Sequence, residues 1–218
     1  MIYGNDPKWL RFCAKHFGWL GVPNIAIIFV TLQVFGFFLV TTDSLWIERL
    51  ALRPEMVLHG EVWRLLTFLS MPISMSPIWM IFSLMFLYSI LNSIESEWGE
   101  FKTTFYTLIS IVLTCIFSLV FLYPVVQITE FVSTIFLAAA ALYPEQEIRI
   151  YMVLPVKMKY LGWLALGFFG YHLFLGTWLD KLFLITIYSN YLLFFGPSLW
   201  NQIKSWKRRR DYRAKTRG

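Results

Sequence analysis

The chain has 218 residues, of which 58% are hydrophobic and only 15% charged, where a soluble domain carries roughly 25% charged residues. The mean hydropathy is +0.61, and the apolar residues fall in long blocks rather than alternating, which leaves no room for a separate water-soluble domain. The net charge of +6 could suit nucleic acid, but eight of the 19 Lys and Arg residues sit in the last 15 positions. So concentrated a tail is a topology signal and an attraction for anionic lipid headgroups, and no nucleic-acid partner is expected.

The segment before the first apolar block, Met1 to Val22, carries Asp6, Lys8, Arg11, Lys15 and His16. No short apolar region with a small-residue cleavage site follows, so the first spanning helix is expected to act as its own insertion signal. Six apolar blocks then read as transmembrane helices, at about 23–41, 76–94, 103–123, 127–143, 159–178 and 181–200. Pro124 divides the third from the fourth, Pro144 ends the fourth, and Asp180–Lys181 divides the fifth from the sixth. A spanning backbone must turn outside the hydrocarbon, and these residues suit such turns. The long connection Thr42–Ser76 mixes Trp, Arg and Glu with apolar residues, which predicts short amphipathic helices lying in the headgroup layer.

With the N-terminus inside, fifteen basic residues fall on the inner side and four (Arg49, Arg53, Arg64, Lys181) on the outer. That bias places both termini in the cytoplasm. The expected fold class is therefore an all-α integral membrane protein: a six-helix transmembrane domain over 1–203 and a basic cytoplasmic tail over 204–218. No internal repeat is visible, which argues against a secondary transporter. Cys13 and Cys115 lie far apart in different environments, so neither a disulfide, a metal site nor a cofactor is expected.

Three segments carry a family resemblance. Gly60-Glu61-Val62-Trp63-Arg64-Leu65-Leu66-Thr67-Phe68 is similar to a "G-x-x-W-R-L-L-T" motif. Ile94-Glu95-Ser96-Glu97-Trp98-Gly99-Glu100-Phe101 is similar to "L-E-x-x-x-G-x-x-x-F". Tyr143-Pro144 with Leu154-Pro155-Val156-Lys157-Met158-Lys159-Tyr160-Leu161 resembles a "P…I-P-V-K-x-K-W-L" connection. In this order, and with a long outer connection between the first two helices, they resemble the rhomboid superfamily of intramembrane serine proteases and non-proteolytic relatives such as the derlins. The resemblance implies a structural role for Trp63, Arg64, Glu95 and Gly99. It is nearest to bacterial rhomboids and so implies a bacterial inner membrane.

The protease members use a Gly-x-Ser nucleophile on the fourth helix, a histidine base on the sixth and a His-x-x-x-Asn oxyanion pair on the second. Serine is a weak nucleophile until an imidazole takes its proton, and the developing oxyanion needs fixed donors. Counting from the matched segments places the oxyanion pair at Trp79 and Ser83, the Gly-x-Ser at Gln127-Ile128-Thr129, and the histidine near Asn190. No histidine follows His172, and an amide is no general base near neutral pH. Every position departs from the protease pattern.

The sequence therefore reads as a non-proteolytic rhomboid-like protein that recognises transmembrane helices of client proteins, in quality control or regulation. The alternative is an active intramembrane serine endopeptidase with a displaced dyad, Ser133 and His172. Thr129, Glu130, Ser133, His172 and Asn190 fall at comparable depth in the outer half of the bundle, with Trp79 and Ser83 on the second helix. Two readings stand for this group: a vestigial cavity that receives a polar part of a client helix, or interhelical hydrogen bonds that hold the bundle together.

Overall fold

The computed structural model describes residues 8–145, 147–150 and 154–216. A short helix α1 (Lys8–Phe17) and a 3₁₀ turn (Gly18–Leu20) lead into α2 (Ile25–Thr42). Three short helices follow, α3 (Leu45–Leu50), α4 (Pro54–Leu58) and α5 (Arg64–Thr67), with a 3₁₀ turn over Phe68–Ser70. The remaining helices are α6 (Pro77–Trp98), α7 (Glu100–Phe121), α8 (Thr129–Leu142), α9 (Met158–Leu175) and α10 (Trp178–Thr216). Between α8 and α9, β1 (Glu147–Ile150) and β2 (Leu154–Lys157) pair as an antiparallel hairpin, an addition to the all-helical expectation.

Among the described residues, α2, α6 and α7 are long and apolar enough to cross a membrane, while α8 is apolar but only 14 residues long. The helix ends differ from the sequence reading where a local device overrides apolarity. Gly99 takes φ +81°, a conformation that L side chains avoid, so α6 runs on to Trp98 before the chain turns into α7. The helix α10 continues without a break through Lys204 into the basic segment.

The long helices alternate in direction, and side-chain and backbone contacts tie their ends into two clusters. At one end, called here the α1 end, Glu95 near the end of α6 accepts hydrogen bonds from the Asn24 and Ile25 amides at 2.7 and 3.2 Å. These are first-turn donors of α2 with no partner inside their own helix. Trp9, Trp98, Tyr106, Phe194 and Phe195 stack around one another at the same end. At the other end, Leu52 of the α3–α4 link pairs with Val125 of the α7–α8 link through two backbone hydrogen bonds, 3.0 and 2.9 Å.

The connection between α2 and α6 is fastened by two side chains. Gln33 of α2, fully buried, donates to the Leu69 and Met71 carbonyls and accepts from the Ile73 amide. One turn on, Gly36 lets the strap touch the helix: an added Cβ would sit 1.6 Å from the Ser70 carbonyl oxygen. Helix α7 packs against α10 along a seam of Thr103, Thr107, Ser110, Thr114 and Ser118, all buried and three or four residues apart. Small side chains there allow close approach of the backbones.

Candidate functional site

Arg64 lies in the connection and is 6% exposed. Its Nη1 donates to the carbonyls of Glu48, Arg49 and Ala51 at 2.6, 2.9 and 2.9 Å, and its Nε to the Glu61 carboxylate at 2.6 Å. The guanidinium thus satisfies orphan carbonyls at the C-terminus of α3, where a cation is favoured. Trp63 beside it is 56% exposed and turns away from the core.

The polar residues expected in the outer half of the bundle divide into two groups. The first gathers where the α7–α8 link meets the α9–α10 turn. Thr177 and Asp180 form a reciprocal cap on α10: Asp180 accepts from the Thr177 amide and hydroxyl, and the Asp180 amide donates to Thr177 Oγ1. This is the capping-box arrangement, one donor satisfied in each direction. Tyr123 at the end of α7 donates its hydroxyl to the other Asp180 oxygen at 2.7 Å. That bond, with those from Thr177, holds the Asp180 carboxyl below its usual range. Glu130 on the first turn of α8 and His172 on the last turn of α9 lie close enough for their charges to interact with each other and with Asp180.

Ser133 belongs to the same face of α8 and donates to the Thr129 and Glu130 carbonyls of its own helix, at 2.7 and 3.0 Å. Tyr188 of α10 lies near Ser133 and packs its ring on Phe169 of α9. His172 is exposed, packs edge-on against Tyr171, and is not brought onto Ser133. Thr129 is exposed at the start of α8. On α6, Trp79 is 55% exposed and Ser83 half-buried. Phe86, one turn beyond Ser83, packs against Phe136, one turn beyond Ser133. Because α6 and α8 run in the same direction, the two serines stand at one level.

The second group is Asn190, which turns into the α7 seam. It is 1% exposed, and its Nδ2 donates to the Tyr106 carbonyl at 2.9 Å and Ser110 Oγ at 2.6 Å. Tyr106 in turn donates to the Thr134 carbonyl of α8 at 2.9 Å. The Asn190 Oδ1 is buried without a partner. Asn190 therefore joins α10 to α7 and faces away from Ser133. The residues that sequence reading passed over are Tyr188 and Gln33. A lone amide in an apolar block is a signal that could have marked Gln33.

Around this site α6 and α9 each pack on α8. A helical bundle with long apolar spans and polar groups enclosed at one end is the build of an integral membrane protein. The family model described as the Rhomboid domain matches residues 59–180, more than half the chain, and the chain belongs to the rhomboid superfamily. The match ends at Asp180, so Tyr188 and Asn190 lie beyond it. No curated protein and no solved structure matches the chain significantly.

Proposed function

We propose that this rhomboid-like membrane protein does not cleave peptide bonds and instead binds transmembrane segments of other membrane proteins, as a recognition or quality-control factor. The observation that carries the reading is that the Ser133 hydroxyl donates back to the Thr129 and Glu130 carbonyls of its own helix, with no histidine ring hydrogen-bonded to it among the described residues. Where a protease needs an imidazole, α10 has Tyr188 near Ser133. A phenol, with an ordinary pKa of about 10, keeps its proton at neutral pH and cannot accept one from a serine.

The α8 face between α6 and α9 is the entry for the client. A helix arriving there from the lipid meets exposed apolar side chains of α6 and α9, then Ser83, Ser133 and Glu130 behind them. Polar groups at membrane depth favour a client whose own helix carries a polar or helix-breaking residue.

In this reading all six long helices span the membrane, both termini are cytoplasmic, and the membrane is a bacterial inner one. The excess of basic residues on the side of the termini supports that orientation. Helices α3 to α5 lie in the outer headgroup layer, where their exposed Leu45, Met56, Leu58 and Leu66 enter the lipid. At 1.5 Å per residue α8 is only about 21 Å long, short of the roughly 30 Å hydrocarbon core. The remaining depth is covered by the irregular link before it. Its backbone pairing to Leu52 supplies the internal hydrogen bonds that such a segment needs inside a membrane.

Labelling native membranes with a fluorophosphonate serine probe tests the proposal. No labelling of the wild type, beside a labelled active rhomboid, is the expected result. Labelling that disappears in both Ser133→Ala and His172→Ala would overturn it and establish a protease with a rearranged dyad.

A further inference from the structure

Helix α1 precedes the first long helix and is strongly two-faced. Its Leu10 is buried, and the Trp9 ring meets Phe194 of α10 edge-on at 5.4 Å. At about 100° per residue, Arg11 and Lys15 lie one turn apart on the side away from Trp9 and Leu10, and both are exposed. Among the described residues neither has an ion-pair partner. Phe12 falls between this basic stripe and the bundle contact. It is 61% exposed, with its ring 4.2 Å from that of His16.

The segment after α1 fixes where the helix sits. The Val22 amide donates to Thr104 Oγ1 of α7 at 3.0 Å, and that hydroxyl donates to the Val22 carbonyl at 3.3 Å. Gly21 abuts the α7 backbone, so that an added Cβ would lie 3.1 Å from the Phe101 amide nitrogen. Immediately afterwards, at Ile25, begins α2, which is apolar enough to cross a membrane. Helix α1 is thus held at the level where the apolar spans end. Trp19, in the 3₁₀ turn between them, is 78% exposed. Exposed rings beside cations at that level are the composition of a helix lying in the headgroup layer.

We propose that α1 is an interfacial helix that binds an anionic lipid surface, with Phe12 and Trp19 in the acyl boundary and Arg11 and Lys15 on lipid phosphates. The long basic side chains can lay their stems along the apolar boundary while their heads reach the phosphates. An acidic soluble partner would satisfy the cations but leave both rings in water. The lipid surface is the occupant that uses the whole exposed face. A zwitterionic headgroup carries its own cation beside the phosphate, so the basic pair favours a lipid of net negative charge. In the orientation proposed above, that surface is the inner leaflet.

The test uses the full chain in liposomes of equal phosphatidylglycerol and phosphatidylcholine. The photoreactive residue p-benzoylphenylalanine replaces Phe12, and mass spectrometry identifies the lipid adducts. They should favour phosphatidylglycerol about fivefold, the preference that one basic residue near an anionic surface supplies. The same probe in place of Phe174, at the opposite end of the bundle on the last turn of α9, should report the bulk ratio. Arg11→Gln combined with Lys15→Gln should return the ratio at position 12 to that of the bulk, while the total of lipid adducts stays unchanged. A bulk ratio at position 12 without those substitutions overturns the proposal. So does a preference that survives them, which would assign it to the basic tail, or one equally strong at position 174. An absence of lipid adducts at position 12 does the same, by placing the ring outside the bilayer.

Discussion

Helices α7 and α9 are both apolar membrane-type helices, yet they are built in opposite ways. The face that α7 turns to α10 carries a row of small hydroxyl residues beside the rings of Tyr106 and Phe117, and each small hydroxyl is satisfied. Thr103, Thr107 and Thr114 donate to carbonyls one turn back, Ser118 to the Tyr123 carbonyl, and Ser110 accepts from Asn190. Much of α9 instead points outward: Trp163, Phe168, Tyr171, Phe174 and Leu175 are all more than half exposed. It packs mainly on α8 and α10. In a membrane, apolar burial does not by itself hold helices together, because lipid tails are as apolar as leucine. Close packing and hydrogen bonds do that instead. The α2–α6–α7 side has both, whereas α9 is held to α8 by close packing, Gly162 against Ala140, and turns an exposed apolar face outward.

Substitutions on the α2–α6–α7 side should therefore be costly, and the largest effect is expected at Gly36. Any side chain there meets the Ser70 carbonyl, and the strap that would have to move is also held by Gln33. Gly36→Leu should cost more than about 4 kcal/mol, read as loss of monodisperse protein after detergent extraction. Near-normal yield would mean that the strap moves freely. Arg64→Ala should follow at about 3 kcal/mol, because it strips three carbonyls and a carboxylate of one buried cation. Arg64→Lys should recover only part of this, since an ammonium cannot reproduce the guanidinium's fork. Thermal unfolding of the purified variants measures both.

These two positions also mark what could be read in advance. Composition and three breakers located the long helices, because hydropathy is a property of segments and needs no knowledge of partners. The Trp63–Arg64 segment could be matched as a motif, but not the split between its members, one exposed and one buried. The resemblance gave Glu95 a structural role but not its partner: it caps α2, about 70 residues earlier, which no local pattern records. Counting along α10 placed the family histidine position at Asn190 but could not give the direction of its side chain. At 3.6 residues per turn, a step of two residues rotates the side chain by about 200°. Asn190 thus faces the α7 seam, and Tyr188 packs on Phe169 of α9.

Smaller effects test the polar groups. Asn190→Ala removes two hydrogen bonds between α10 and α7, and such bonds in membranes average about 0.6 kcal/mol. A loss of about 1 kcal/mol is expected, with no change in probe labelling. A loss several times larger would make this amide a keystone of the seam. Asp180→Ala should cost about 1 kcal/mol through the α10 cap, and that cost should depend on pH. The folded-state pKa of Asp180 is depressed, so its contribution is present above the unfolded value of about 3.9 and fades as pH falls through the lower folded value. The stability gap between wild type and Asp180→Ala should stay constant from pH 7 to 5 and narrow below about pH 4. A gap that already narrows at pH 6 would contradict the depressed pKa.

The least effect on stability is expected on α9, and there the contrast with α7 becomes functional. Phe174 is 84% exposed and contributes nothing to the packing of the bundle, so Phe174→Ala should shift unfolding by no more than about 0.5 kcal/mol. If α9 forms one wall of the client entry, the same substitution should reduce photocrosslinking of membrane-protein partners to a probe placed at Phe168. A parallel Leu192→Ala variant, on the exposed face of α10, should leave that crosslinking unchanged. Equal losses from both variants would mean that partners recognise the general apolar surface. Loss from Phe174→Ala alone would place recognition at the exposed face of α9, where a helix can be admitted without dismantling the hydroxyl seam that holds α7 and α10 together.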